Sequence, residues 1–163
     1  MRWQSIDYLK KVIEANGPFD NVLDVGSLCV DGDETIRGLF KGNYIGLDMR
    51  EGPNVDVVLN AHNLTDRYED QFDLVVCFDT LEHDDRFWLT VDQMRRVVKK
   101  GGWMVIGVPS RRADLHLHPS DYWRFMGPSM DLFFEGFKDY TKIVELEPGF
   151  REENAVYGSG RKP

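Results

Sequence analysis

Acids and small polar residues stand where the hydrophobic runs of this chain stop. "NVLDV" leads into Gly26 and Ser27, with Asp24 just inside its end, and "YIGLD" closes on Asp48, followed by Met49. "VDVVL" gives way to Asn60, Ala61 and His62, and "FDLVVCF" ends on Phe78 with Asp79 next. Carboxylates placed this way can accept hydrogen bonds from hydroxyls or balance a cationic ligand. Two more stretches hold groups able to move a proton. "LEHDD" sets Glu82 and His83 beyond the fourth run, and "HLHPSDYWRF" gathers His116, His118, Asp121 and Tyr122. Histidine titrates near neutrality and suits general-base work. An H-x-H pair on a loop without a third firm ligand makes a poor metal centre, so none is expected from His116, His118 and Asp121.

Each of these residues also has an ordinary structural use. Asp24 suits a turn or a helix cap, and Ser27 a loop hydrogen bond. Met49 and Phe78 suit a core. Asp84 and Asp85 suit the start of a helix, where the macrodipole favours negative charge. The recurrence of acids at strand ends favours a binding role for Asp24, Asp48 and Asp79, because ligands of open α/β sheets sit beyond the carboxyl ends of the strands.

The elements that must position these groups follow from periodicity. Trp3, Ile6, Leu9, Val12 and Ile13 mark a helical face over about 3–15, stopped by Asn16-Gly17-Pro18. Strands are predicted at "NVLDV", "YIGLD", "VDVVL", "FDLVVCF" and "WMVIGVP", with a helix around 34–40 and another over about 86–99. A short helix in "PSMDLFFEGF" and strands at "YTKIVEL" and "NAVYGSG" complete the order. Continuous apolar strands alternating with helices imply an α/β fold: a Rossmann-like, mainly parallel sheet of about seven strands with helices on both faces, a three-layer sandwich. The connection from Asp48 to Val55 is too brief for a crossover helix. Either a bare loop carries the crossover or the third strand lies elsewhere.

The chain has 163 residues, enough for one core, and residues 1–163 are read as a single domain. Its formal charge of −8 argues against a nucleic-acid partner, which needs clustered Lys and Arg. No apolar run spans a bilayer, the N-terminus lacks a signal-peptide core, and two cysteines without metal spacing suit a reducing compartment. A cytoplasmic location without membrane attachment is expected.

The loop after "NVLDV" discriminates between ligands. A dinucleotide fingerprint wants two more glycines after Gly26, yet those positions hold Leu28 and Asp31, and Asp33 and Glu34 would face the phosphates. S-adenosylmethionine has no phosphate and carries a sulfonium and an ammonium, so an acid-bordered loop suits it. The ordered series "VLDVGSLCVDG", "YIGLDMREGPNVDVV", "AHNL", "FDLVVCFDTLEHDDRFW", "VKKGGWMVIGVPS" and "HPSDYWRF" resembles the motifs of class I S-adenosylmethionine-dependent methyltransferases. It is most similar to short bacterial and phage-type methyltransferase-domain proteins.

That resemblance implies roles. Asp24 would support the ammonium end of the cofactor, and Gly26 and Ser27 would let backbone approach it, with Gly32 as the later loop glycine. Asp48 would accept from both ribose hydroxyls, and Met49 would touch adenine. Asn60, Ala61 and His62 would read the adenine edge, the Asn60 amide oxygen accepting from its amino group. Phe78 and Asp79 would lie beside the methyl group. The missing second glycine implies a wider or differently turned loop at Leu28 and Cys29. On the acceptor side, His83, His118 and Asp121 are the catalytic candidates, and Glu82, His118 and Tyr122 the substrate-binding ones. The implied function is O- or N-methylation of a small molecule or saccharide. An oligomer or a partner subunit is allowed. The alternatives are a catalytically inactive cofactor-binding module or partner subunit and, last, a nicotinamide oxidoreductase.

Overall fold

The computed structural model describes residues 3–30, 35–116, 120–146 and 153–163. The first helix, α1, runs Trp3–Asn16 and ends where Gly17 N–H and the Asn16 side chain bond the Ile13 and Val12 carbonyls. Strands β1 (Asn21–Val25), β2 (Asn43–Asp48), β3 (Val57–Val58) and β4 (Phe72–Phe78) follow. Then come helix α2 (Phe87–Val97), strand β5 (Val98–Pro109), helix α3 (Gly127–Phe133) and strands β6 (Lys138–Leu146) and β7 (Glu153–Arg161). They form one sheet in the order β3-β2-β1-β4-β5-β7-β6. Pairing is parallel from β3 through β5, and β7 is antiparallel to both of its neighbours.

Two cores flank the sheet because successive strand residues point to opposite faces. Leu23, Val75, Cys77, Met104, Ile106 and Val156 pack with α2 and α3 on one face. Val22, Leu74, Val76, Val105 and Tyr157 pack with Ile6, Leu9 and Val12 of α1 on the other. The three-layer arrangement therefore follows from runs that are apolar on both sides.

Two helices differ from expectation, and the crossover takes the bare-loop alternative. Among the described residues 35–40, the helix expected around 34–40 is a single 3-10 turn, Arg37–Leu39, anchored by fully buried Ile36. The third strand is in place but only two residues long, and residues 49–56 cross from β2 to β3 as a bare loop. Its ends are fixed by Gly46 N–H to the Asp56 carboxylate at 2.7 Å and by Asp56 N–H to the Gly46 carbonyl at 2.8 Å. The helix expected over about 86–99 ends at Val97, and Val98 opens β5. No helix among the described residues is long and apolar enough to cross a membrane.

Candidate functional site

A crevice of about 900 Å³ opens at the carboxyl ends of β1 to β4, as the switch-point rule requires for a sheet whose order reverses at β1/β4. Gly26, Ser27, Asp48, Met49, Asn60, Ala61, His62, Phe78 and Asp79 line it, as do His83, His116, Ser120 and Tyr122. The residues predicted from strand ends thus share one wall with part of the predicted acceptor side.

The wall is built by backbone first. Gly26 sits at φ 79°, and a Cβ there would lie 2.1 Å from the Thr80 hydroxyl, so the strand must end in glycine. Its N–H and that of Ser27 both bond the Leu47 carbonyl, tying the loop after β1 to β2. The absent second glycine is accommodated by the neighbouring loop. Leu28 fills the space over Gly52, where a Cβ would come within 2.4 Å of it, and Cys29 N–H bonds the Pro53 carbonyl at 3.0 Å. Asn54, at φ 69°, knits these pieces together. Its amide donates to the Ser27 carbonyl and the Tyr44 hydroxyl, its Oδ1 accepts from Arg37 Nε, and its carbonyl accepts from Ser27 Oγ and the Arg37 guanidinium. Sequence reasoning missed Asn54, although "GPN" carries a turn signal. Ser27, by contrast, is the loop hydrogen-bonder its type suggests.

Asp48 ends β2 at the wall, and one carboxylate oxygen accepts the Arg50 N–H at 2.9 Å. A carboxylate has about four acceptor sites, so ligand hydroxyls can still be served. Met49 is 64% exposed and is a wall residue rather than core. Asn60 lines the crevice, and one acceptor position of its amide oxygen is already in use. That oxygen accepts the His62 N–H at 2.8 Å and caps the 3-10 turn Ala61–Asp66, which also positions Ala61 and His62.

Asp24 needs a correction. It lies below the crevice, 1% exposed, with its carboxylate bonded to the Tyr44 hydroxyl. Burial pushes its pKa up to about 6, against the opposing effects of the Tyr44 bond and Arg37. It supports the wall from behind rather than touching an ammonium.

On the acceptor side, the segment Ser120–Trp123 docks on the turn after β4. Tyr122 N–H bonds the Glu82 carbonyl at 2.8 Å, the Trp123 indole N–H bonds the Asp84 carbonyl at 2.9 Å, and His83 Nδ1 bonds the Ser120 carbonyl. Phe87 stacks edge-on against Trp123 and Phe125, which holds the segment to α2. Asp84 is a hub, accepting from His62 Nε2 at 2.8 Å, Thr90 Oγ1 at 2.6 Å and Arg86 N–H at 2.9 Å. Tyr122 lines the crevice and is 54% exposed.

Asp121 is not a base. A hydrogen bond from Arg124, helped by the His116 N–H, holds its carboxyl down to about 2, and its side chain is closed off from solvent. With Arg124, which also bonds the Ala113 and Asp114 carbonyls, it shapes the loop that carries His116. Glu82 is fully buried behind the wall, not on it. Beside His116 stand Glu82 and His83, which the turn after β4 brings up from a different stretch of sequence. His118 and Gly32 lie outside the described residues.

Comparisons with known proteins agree with this fold. The family model described as "Methyltransferase domain" matches residues 3–137. No curated protein matches the sequence. Among solved structures, a SAM dependent methyltransferase from Archaeoglobus fulgidus superposes with a TM-score of 0.71 at 15% identity, covering 99% of this chain and 95% of that one. The N-methyltransferase NodS from Bradyrhizobium japonicum WM9 gives 0.70 at 14% identity, covering 98% of this chain and 95% of its own. The 1,6-didemethyltoxoflavin-N1-methyltransferase of Burkholderia thailandensis, whose structure holds 1,6-didemethyltoxoflavin and S-adenosylhomocysteine, gives 0.69 at 16% identity, covering 97% and 78%.

Proposed function

The chain belongs to the methyltransferase-domain family, and from that premise we propose that it methylates an oxygen or nitrogen of a small molecule or saccharide. Its cofactor is S-adenosylmethionine, which supplies a methyl group activated on a sulfonium. One observation carries the reading: the Asp48 carboxylate ends β2 on the wall of the same crevice that Gly26 enters with left-handed backbone. The donor set fits this cofactor, since the wall combines a ribose-type acceptor, a closely approachable backbone and apolar Met49 and Phe78.

In this reading Asp48 holds the two ribose hydroxyls, and Gly26 and Ser27 give the loop its shape. Ala61 and His62 border the adenine, and Phe78 and Asp79 border the reacting end. The segment Ser120–Trp123 narrows the opposite side and helps exclude water, leaving the acceptor aligned by proximity. His83 donates Nδ1–H to the Ser120 carbonyl, which leaves Nε2 as the ring atom able to accept. His118 stays a candidate of the same kind through its place in "HLHPSDYWRF". A small acceptor accords with the acidic chain, which repels polyanions. The thiols of Cys29 and Cys77 accord with the reducing cytoplasm, and residues 1–163 act as one domain.

Isothermal calorimetry with S-adenosylmethionine tests the assignment. The unsubstituted protein is expected to bind, and Asp48→Ala to lose at least about tenfold in affinity, the equivalent of about 1.4 kcal/mol. Equal affinities overturn the site. A metabolite screen that follows S-adenosylhomocysteine then separates an enzyme from a binding module, which would bind without releasing product. His118→Ala is expected to spare affinity and lower turnover.

A further inference from the structure

Glu82, His83 and His116 each offer one ligand atom within 4.8 Å of the others, where the turn after β4 meets the loop after β5. The tautomers of both rings are fixed from behind. His83 Nδ1 faces the Ser120 carbonyl and His116 Nδ1 faces the Asp114 carbonyl at 3.0 Å. A carbonyl only accepts, so each Nδ1 carries the hydrogen, which leaves Nε2 as the ring atom able to ligate. This backbone bond behind the ring is the usual arrangement of a metal-bound histidine.

Distances point the same way. Glu82 Oε1 stands 3.4 Å from His116 Nε2 and 3.8 Å from His83 Nε2. Both exceed the ordinary hydrogen-bond range of about 2.7–3.2 Å. They approach the edge of a tetrahedron with bonds of about 2.1 Å, roughly 3.4 Å. The two rings already meet edge to face, with centroids 4.8 Å apart at 79°. The His116 side chain is 44% exposed and that of His83 16%, so the site is reached from the crevice. Among the described residues, charged neighbours include Arg124, whose field reaches Glu82, and Asp121, 3.6 Å from His116 Nδ1.

We propose that Glu82, His83 and His116 bind a divalent cation of the zinc type, with its remaining position open to the crevice. Two imidazoles and one carboxylate suit Zn(II) or Fe(II). His83 and His116 line the crevice while Glu82 closes the site from behind, so the open position faces the acceptor side. Its ligand there is an oxygen or nitrogen donor of the acceptor, whose pKa a bound cation lowers. This last step rests on the methyltransferase reading; the cation site itself does not.

The test uses tag-free, chelator-stripped protein titrated with Co(II) and with Zn(II) without cofactor, followed by calorimetry and by the visible d–d bands of Co(II). One equivalent per chain is expected. His116→Ala and Glu82→Gln are expected to weaken it by more than about 100-fold, beyond the 10–100-fold typical of outer-shell changes. Should Glu82→Gln misfold, ¹⁵N spectra of the unsubstituted protein decide the same question, since Zn(II) must shift Nε2 of His83 and His116. No binding, unshifted Nε2 resonances, or equal affinity in His116→Ala overturns the proposal. S-adenosylmethionine binding is measured alongside in the presence of chelator. Cofactor binding without metal binding sinks this site alone, and metal binding without cofactor binding sinks the methyltransferase reading alone.

Discussion

Asp24 and Asp48 show how the same side chain acquires different work from depth alone. They belong to neighbouring parallel strands, Asp24 opposite Gly46 and Asp48 just beyond. One is 1% exposed against Tyr44, and the other ends its strand in the crevice. Because burial raises the Asp24 pKa from 3.8 to about 6, folding favours its protonated form. The stability this contributes is complete below about pH 4 and is lost as pH rises through about 6. Two pKa units correspond to roughly 3 kcal/mol, an upper figure for the penalty of keeping the carboxylate charged at pH 8. Asn keeps an oxygen for the Tyr44 hydroxyl without the charge. Asp24→Asn is therefore expected to gain up to about 3 kcal/mol at pH 8 and little at pH 4, read from urea denaturation at both values. Its cofactor affinity should fall far less than that of Asp48→Ala. If Asp24→Asn instead matches Asp48→Ala in calorimetry, Asp24 touches the ligand.

Among the elements, the bare 49–56 crossover carries more of the site than any helix. Without a helix to stiffen it, its conformation depends on Asn54, whose side chain makes three hydrogen bonds to Ser27, Tyr44 and Arg37. Asn54→Gly tolerates the positive φ but deletes those bonds, at about 0.5–1.5 kcal/mol each. A loss of about 2–3 kcal/mol in chemical denaturation is expected, with about tenfold weaker cofactor binding as the two loops separate. Retention of full affinity would mean that the loop after β1 holds its shape unaided. The strands β1, β4 and β5 are legible in the sequence because their residues are apolar on both faces, a pattern that little else produces. The two-residue β3 and the 3-10 turn at Arg37–Leu39 are too short for periodicity to define. Strand ends likewise locate Asp48, Met49, Ala61, His62 and Phe78 at one rim, since direction along a strand is legible. Depth is not, which is why sequence alone puts Asp24 and Glu82 on the wall when they lie behind it. Asp121 escapes for a related reason, because Arg124 is an obvious neighbour in sequence but its fork could equally have faced solvent.

The molecule as a whole separates the rim that binds from the end of the sheet that stabilises. At the β7-β6 end, Phe134 is 2% exposed, stacks on Tyr140 with centroids 5.2 Å apart, and fills the space left by Gly158 and Gly160. None of these four residues lines the crevice. Truncating such a ring costs about 3–5 kcal/mol, a large fraction of the roughly 5–15 kcal/mol that a domain possesses. Phe134→Ala should therefore unfold at much lower denaturant while leaving the folded crevice intact. Ligand linkage makes the two effects separable, because a ligand at about 100 times its Kd stabilises by about 2.7 kcal/mol whatever the starting stability. Saturating S-adenosylmethionine is expected to stabilise the unsubstituted protein and Phe134→Ala by the same free energy in urea denaturation, and Asp48→Ala by much less. A cofactor increment that shrinks in Phe134→Ala would show that the far end of the sheet helps to shape the crevice, contrary to this division.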